Sequence, residues 1–314
     1  MKTIGSLLIS VLIMGATNSA SAAKYAGEFL NLGAGARPIS LGGAYVAAMG
    51  DALAGYYNPA GLSNITRSQA LFMHSETFGS LLNHDFLAYT RPLGDSEQRS
   101  AFAISLYRLG GGGIIVTGVD QTGRFYQISE ESHADYAGYF SYGRAFGDRF
   151  NAGVSAKLIY RDIISDNAFG IGLDVGAIYV PLAWLDLGLN VQDAATTLLS
   201  YKTGKKESIY PTTRVGTRLH GARGRFSSAI FADADLRFEG IDYGAQFSGG
   251  PVSIDSHLGL EISYLDKIAA RIGSNAGSLT LGAGLSFGRF DVDVAMRDHA
   301  DLDNTFLVSL TADF

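Results

Sequence analysis

The chain has 314 residues, 47% of them hydrophobic, with 40 glycines, 6 prolines and no cysteine. Its net charge of −6 argues against a nucleic-acid partner, which asks for a basic stripe. The lack of cysteine excludes a disulfide framework, a thiolate metal site and a thiol nucleophile.

Residues 1–22 read as a signal peptide. Lys2 supplies the positive start, Ile4 to Met14 a short apolar core, and Ala20 and Ala22 the small residues before a cut ahead of Ala23. About 11 apolar residues are too few for a spanning helix, which takes roughly 20. The mature chain is therefore expected to leave the cytoplasm, and its destination is expected to be the outer membrane.

Residues 23–66 form neither a strand pattern nor an ordinary soluble helix. The stretch "SLGGAYVAAMGDALAGYYNPAGL" is rich in glycine and alanine, which permit close backbone approach. Asn58 ahead of Pro59 suits a helix N-cap followed by a first-turn proline. The pattern predicts a helix ending near Gly55, a bend, and a second short helical turn.

Beyond residue 66 apolar residues recur at period two. In "SLTLGAGLSFG", Leu279, Leu281, Ala283, Leu285 and Phe287 share one face, and Thr280, Gly282, Gly284, Ser286 and Gly288 the other. Residues 184–192 and 290–297 repeat the alternation. Such runs are long enough for tilted strands that cross a bilayer. Aromatic residues sit near the ends of the apolar faces (Tyr160, Tyr179, Tyr264, Phe287, Phe306, Phe314), as interfacial girdles would require. A secreted sandwich or solenoid is the competing all-β reading, but sandwich strands are shorter.

Candidate strands lie near 68–77, 84–92, 100–108, 134–145, 149–162, 167–180, 183–193, 211–221, 225–237, 254–264, 268–274, 278–287, 289–298 and 304–314. That is about 14, an even number as single-chain bacterial barrels require. Connections after even-numbered strands are mostly tight. Those at 109–133, 194–210 and 238–253 are long and are expected outside the cell, with 238–253 leaving room for more strand. The fold expected is all-β: a transmembrane, antiparallel, up-and-down barrel over 67–314, with a small helical hatch from 23–66 in its lumen. A barrel of this size lies between those filled by side chains and those holding an aqueous channel. Residues 24–65 are the only substantial filler outside the strands.

A three-residue turn at Leu265, Asp266 and Lys267 pairs Tyr264 with Ile268 and so sets Glu261 opposite Arg271. This pair is expected to be lumenal and structural. The same alternation points Lys157, Arg161, Asp174, Asp186, Asp233, Asp235, Arg237, Asp255, His257, Asp291, Asp293 and Arg297 inward. Both signs are present, which suits a hydrogen-bonded interior packed on a plug better than an anion-selective pore.

Enzyme signatures fail on context. "GLSFG" matches G-x-S-x-G, but Ser286 lies on an unbroken strand followed by a strand, whereas a nucleophile elbow needs strand, turn and helix. "GGGG" at 110–113 lacks the lysine and helix of a phosphate loop. The histidines at 74, 84, 133, 220, 257 and 299 show no H-E-x-x-H spacing, and "DHADLDN" at 298–304 is an acidic loop without EF-hand spacing. No enzyme activity, metal or cofactor is expected.

The stretch "GARPISLGGAYVAAMGDALAGYYNPAGLSN" resembles the N-terminal signature of PorV/PorQ-type outer-membrane proteins, relatives of the FadL fatty-acid channels. The stretches "NAGVSAKLIYRDIISDNAFGIGLDVGAIYVPLAWLDLGLNVQD" and "LGLEISYLDKIAARIG" resemble them too, so the resemblance covers essentially the whole mature chain. It implies a 14-stranded barrel with a hatch, whose motif positions fall on Asn58, Pro59, Ala60 and Gly61, with Gly43 as a further hatch residue. In the fatty-acid channels the hatch gates hydrophobic molecules that leave sideways through the wall. In the PorV group the barrel serves type IX protein secretion and receives exported proteins. Phe314, with Phe306, Val308, Leu310 and Ala312 on one face, resembles the signal read by the outer-membrane assembly machinery.

Three functional readings follow. The first is a hatch-gated transport protein for small hydrophobic molecules, gated near residues 40–62. The second is a secretion scaffold whose outer loops, especially 109–133 and 194–210, engage secreted proteins. The third is a structural barrel without flux. Expected partners are outer-membrane lipid, the assembly machinery, and either hydrophobic small molecules or secreted proteins.

Overall fold

The computed structural model describes residues 27–77, 81–93, 99–164, 166–240, 245–299 and 303–314. The expected signal peptide lies outside them. Fourteen antiparallel strands form the wall: β1 Gln69–Thr77, β2 Leu82–Pro92, β3 Ser100–Val119, β4 Phe125–Phe146, β5 Phe150–Ile163, β6 Asp166–Leu182 and β7 Leu185–Gln192, then β8 Thr212–Arg223, β9 Phe226–Arg237, β10 Val252–Tyr264, β11 Ile268–Asn275, β12 Ser278–Phe287, β13 Phe290–Arg297 and β14 Thr305–Asp313. Each pairs with its neighbour in chain order, and β14 returns to β1, with Gln69 opposite Asp313 and Glu76 opposite Phe306. Closure leaves the ladder between β1 and β14 without a free edge, the condition for strands to cross a bilayer.

Alternation decides what each face meets. On β12, Leu279, Leu281, Leu285 and Phe287 are exposed on the outer surface while Thr280 is buried. On β7, Leu187 and Leu189 face out, and Asp186 and Asn190 are buried within. All six aromatic residues expected at strand ends are exposed. An outward apolar band with aromatic margins around a polar-lined interior is the architecture of a membrane barrel.

Two outer connections differ from the sequence expectation. Residues 109–133 are no loop: β3 and β4 continue as a paired ribbon to Val119 opposite Phe125. Register shifts between Gly111 and Ile114 and between Val116 and Thr117 carry the ribbon past the glycine run, and they erase the period-two signal there. Residues 194–210 hold a hairpin, Thr197–Tyr201 with Lys206–Ile209, whose first strand pairs with β6 from Ala168 to Ile171. Within 238–253, Phe247–Gly249 forms a short strand on β10.

The interior is filled by residues 27–65, which run as single turns: 3-10 turns at Glu28–Leu32 and Pro59–Asn64, and α-turns at Ala36–Ser40 and Ala54–Tyr57. The helix expected to end near Gly55 is a single turn that runs on to Tyr57. Asn58 then takes an extended conformation, and its side chain caps the next turn by accepting from the Ala60 amide.

Such an irregular segment fits because the wall is stripped of side chains beneath it. Gly143 pairs with Gly153, and Gly153 with Gly176, on β4, β5 and β6. A Cβ on any of them would collide with Asn58, Pro59 or Ala60. Gly188 and Gly216 likewise clear Val46, and Gly259 and Gly273 clear Leu41 and Gly42. Gly153→Val is expected to lower unfolding stability by about 1–3 kcal/mol through overpacking. Gly138→Val is expected to be neutral, since its Cβ would meet open space. Denaturant unfolding of the folded barrel checks this, and equal stability of the two variants would defeat the docking argument.

Candidate functional site

The inner wall supplies the hydrogen bonds that the segment's irregular backbone lacks. Ser141 and Ser155 donate to the Gly55 carbonyl at 3.0 and 3.1 Å. Asn190 donates to the Tyr57 carbonyl at 2.8 Å, and Thr280 to the Ser40 carbonyl at 3.1 Å. One oxygen of Asp233 accepts from the amides of Tyr45 and Val46 at 2.6 and 2.8 Å. His257 bonds the Gly42 carbonyl at 2.8 Å.

Asn58 is the densest of these junctions. Its amide nitrogen reaches the Val46 carbonyl at 2.8 Å and the Ala177 and Leu189 carbonyls, on β6 and β7, at 3.3 Å each. It thereby joins two parts of the segment to two strands. Pro59, Ala60 and Gly61 form the turn that sits on the glycine row, and the Gly61 carbonyl accepts from the Gly50 amide at 3.0 Å. Gly43 has φ 84°, a left-handed conformation, beside His257. Phe314 lies apart from these residues: its backbone pairs with Ser68, and its ring stacks on Tyr89 at 6.2 Å on the outer surface.

Glu261 and Arg271 face each other across β10 and β11 and bond at 2.6 Å. They belong to a longer row. Arg37 of the segment grips Glu261 with two bonds, at 2.9 and 2.7 Å. Arg271 also crosses β12 to reach Asp293 at 2.6 Å. It passes over Gly284, where a Cβ would press against its guanidinium. Reading the hairpin register alone missed Arg37, although it is the lone basic residue of "GARPIS". Beneath this row a cavity of about 690 Å³ opens at the short-turn end, lined among others by Arg37, Asp51, Arg218, Glu261, Arg271 and Asp293. Ser286 also lines it, in the strand–turn–strand setting that does not make a nucleophile elbow.

Several other inward charges are paired. Lys157 lies between Asp174 at 3.0 Å and Asp193 at 2.9 Å, all three buried. Asp186 meets Arg218 at 2.8 Å, Arg214 meets Asp235 at 3.0 Å, and Arg237 meets Asp255 at 2.7 Å. Among the described residues no group of three or more His, Asp or Glu could hold a metal.

Between the charged pairs runs an apolar lane that the sequence reading did not foresee. From the segment come Phe29, Leu30, Ile39, Leu41, Tyr45, Tyr56 and Tyr57; from the wall come Met73, Phe86, Tyr107, Tyr139, Ile159, Phe231 and Leu307. Tyr56 meets Phe86 at 5.8 Å and Tyr139 at 5.7 Å, and Tyr45 stacks with Phe231 at 6.2 Å. Burial pushes the Tyr57 phenol up to about 12 and raises that of Tyr56 as well, so both stay neutral. The signal available in the sequence was large apolar residues on the inward phase of β1 to β5, where small or polar ones were expected.

No protein-family model and no curated protein matches the chain. Solved structures do. The toluene transporter TbuX of Ralstonia pickettii matches with a TM-score of 0.60 at 14% identity, over 90% of this chain and 98% of its own. The toluene transporter TodX of P. putida gives 0.61 at 11%, over 90% and 99%. A FadL homologue of Pseudomonas aeruginosa gives 0.55 at 13%, over 86% and 96%. At these identities the likeness establishes a shared fold: this chain has the barrel architecture of FadL-type channels.

A double-mutant cycle of Arg37→Ala and Glu261→Gln, read by thermal or denaturant unfolding, is expected to return a coupling of about 1–3 kcal/mol. A coupling near zero would mean that the two-bond bridge does not hold the segment.

Proposed function

We propose that this chain is an outer-membrane channel of FadL-like type that passes small hydrophobic molecules, with residues 27–65 as its gate. The observation that carries this reading is the apolar lane. Met73, Phe86, Tyr107, Tyr139, Phe231 and Leu307 lie on the inward face of a barrel, and the segment buries them. A water-filled pore has no use for such a face. A displaced segment would offer an apolar solute a surface worth about 25 cal/mol per Å² buried. The toluene transporters named above share the architecture, which adds support without fixing the solute.

The wall also supports a sideways exit. β7 stops at Gln192, and the outer part of β6 pairs with the 197–209 hairpin instead. Among the described residues no strand pairs with the far side of Lys206–Ile209. A small cavity of about 40 Å³ lies there, between Gly27, Leu30, Ile209 and Arg237.

The second reading, a PorV/PorQ-type scaffold for secreted proteins, is favoured by one feature. The β3–β4 ribbon exposes Ile115, Val119, Phe125, Tyr126 and Ile128 beyond the neighbouring strands. Apolar groups held clear of the wall suit a protein partner.

Uptake of a labelled monoaromatic probe by cells or proteoliposomes separates the two. Under the channel reading, uptake falls when the protein is deleted and rises several-fold in an Asn58→Ala, Pro59→Ala variant whose gate is loosened. Uptake that ignores both changes, together with capture of secreted proteins that is lost on shortening the ribbon, would replace it with the scaffold reading.

A further inference from the structure

We infer that Arg161 couples the 197–209 hairpin to Phe29 of the N-terminal segment, so that this part of the outer wall and the gate move together. The inference rests on the gate reading above and adds the residue through which the outer surface acts on the gate.

Arg161 stands on β5 directly opposite Asp135 of β4. Two of its nitrogens hold the Asp135 carboxylate at 2.7 and 3.2 Å, which fixes the guanidinium plane on the wall. The third nitrogen faces the hairpin, 3.4 Å from the Tyr201 hydroxyl and 4.0 Å from Glu207. The guanidinium carbon lies over the ring of Phe29, 5.6 Å from its centre. One planar cation therefore touches wall, hairpin and segment at once. Phe29 is otherwise pinned by Tyr107, whose hydroxyl donates to the Phe29 carbonyl at 2.6 Å.

The hairpin is built to swing on its root. The root is fixed: Asp193 takes the buried Lys157 at 2.9 Å and bonds Thr197, and Asp193 and Thr196 are both left-handed, with φ 52°. Beyond it the hairpin is held by its short pairing with β6, by Thr203 on Asp166, by the buried Leu199 and half-buried Ile209 on the core, and by the inward contacts of Tyr201 and Glu207. Tyr201 donates to Glu207 at 2.7 Å, and Lys205 completes that carboxylate at 2.6 Å. Glu207 and Phe29 are both buried, so outward movement of the hairpin strips Arg161 of its hairpin partners and uncovers the ring. Lysine would keep a charge beside Asp135. It has no planar fork to serve carboxylate, phenol and ring together.

The test uses the absence of cysteine. A single Leu30→Cys reporter beside Phe29 is buried and should react slowly with a thiol reagent. Adding Tyr201→Phe with Glu207→Gln on the hairpin should raise its labelling rate about tenfold. In an Arg161→Lys background the rate should already be raised, and the hairpin changes should add nothing. Phe29→Leu should uncouple the two in the same way, and it serves if the Arg161 variant fails to assemble into a heat-modifiable barrel. Labelling that ignores the hairpin changes, or that rises by the same factor with and without Arg161, would overturn the coupling. Thiol labelling needs no transport, so coupling without uptake would sink the channel reading and leave the Arg161 assignment standing.

Discussion

Everything inside this barrel follows from one constraint: an irregular chain segment is buried where water cannot satisfy its backbone. Residues 27–65 make only short helical turns, so part of their backbone amides and carbonyls must find partners outside the segment. The wall supplies partners through Ser141, Ser155, Asn190, Asp233, His257 and Thr280, each aimed at a particular backbone group. Those side chains are short, and they reach only because the glycines beside them let the two backbones approach. Polar satisfaction and the glycine row are thus one design. The first fixes where the segment sits, and the second fixes how near.

The same constraint divides the lumen into two chemistries. Where the segment presents backbone, the wall is polar. Where it presents Phe29, Ile39, Tyr45 and Tyr56, the wall answers with Phe86, Tyr107, Tyr139 and Phe231. Charges that border the apolar lane are mostly neutralised in place, as Lys157 is between two aspartates and Arg161 is by Asp135. Breaking such a pair would leave an uncompensated buried charge, a cost of several kcal/mol, so these groups anchor the wall. The row from Arg37 to Asp293 differs. It ties the segment to the wall at the edge of the 690 Å³ cavity, with Arg37 a third exposed, so water screens it and its strength is modest. The segment is therefore held by many neutral bonds and a partly solvated ionic bridge, an arrangement that releases more readily than a buried salt bridge.

How much was legible in the sequence depends on whether a feature was periodic. Strands such as β7, β12 and β13 alternate strictly, and their number, order and the Glu261–Arg271 register could be read directly. Asn58 with Pro59 carried its capping chemistry locally, and the structure shows the same cap. Features that depend on a second element left no such trace. The β3–β4 ribbon hid behind glycines and register shifts. Arg37 was invisible because its partner lies 224 residues away. The apolar lane contradicted the rule that lumenal faces are polar, although Phe86, Tyr107 and Tyr139 stood on the inward phase all along. In a barrel too wide to be filled by its own wall side chains, a large inward apolar residue points to a plug that covers it.

The hairpin at 197–209 shows why an interrupted wall strand matters. A full-length β7 would have sealed β6 to β8 along its whole height, and a continuous ladder opens only by breaking many hydrogen bonds together. Here the outer part of that ladder is replaced by a piece that pairs with β6 on one side alone. What it lacks in backbone bonds is made up by side chains: those converging on Arg161 and Lys157, and the apolar packing of Leu199 and Ile209. The interrupted ladder lies at the height of Gly27, against Ile209, beside the part of the segment that covers the apolar lane. A solute that displaced Phe29 would meet that seam before it met the polar cavity at the opposite end.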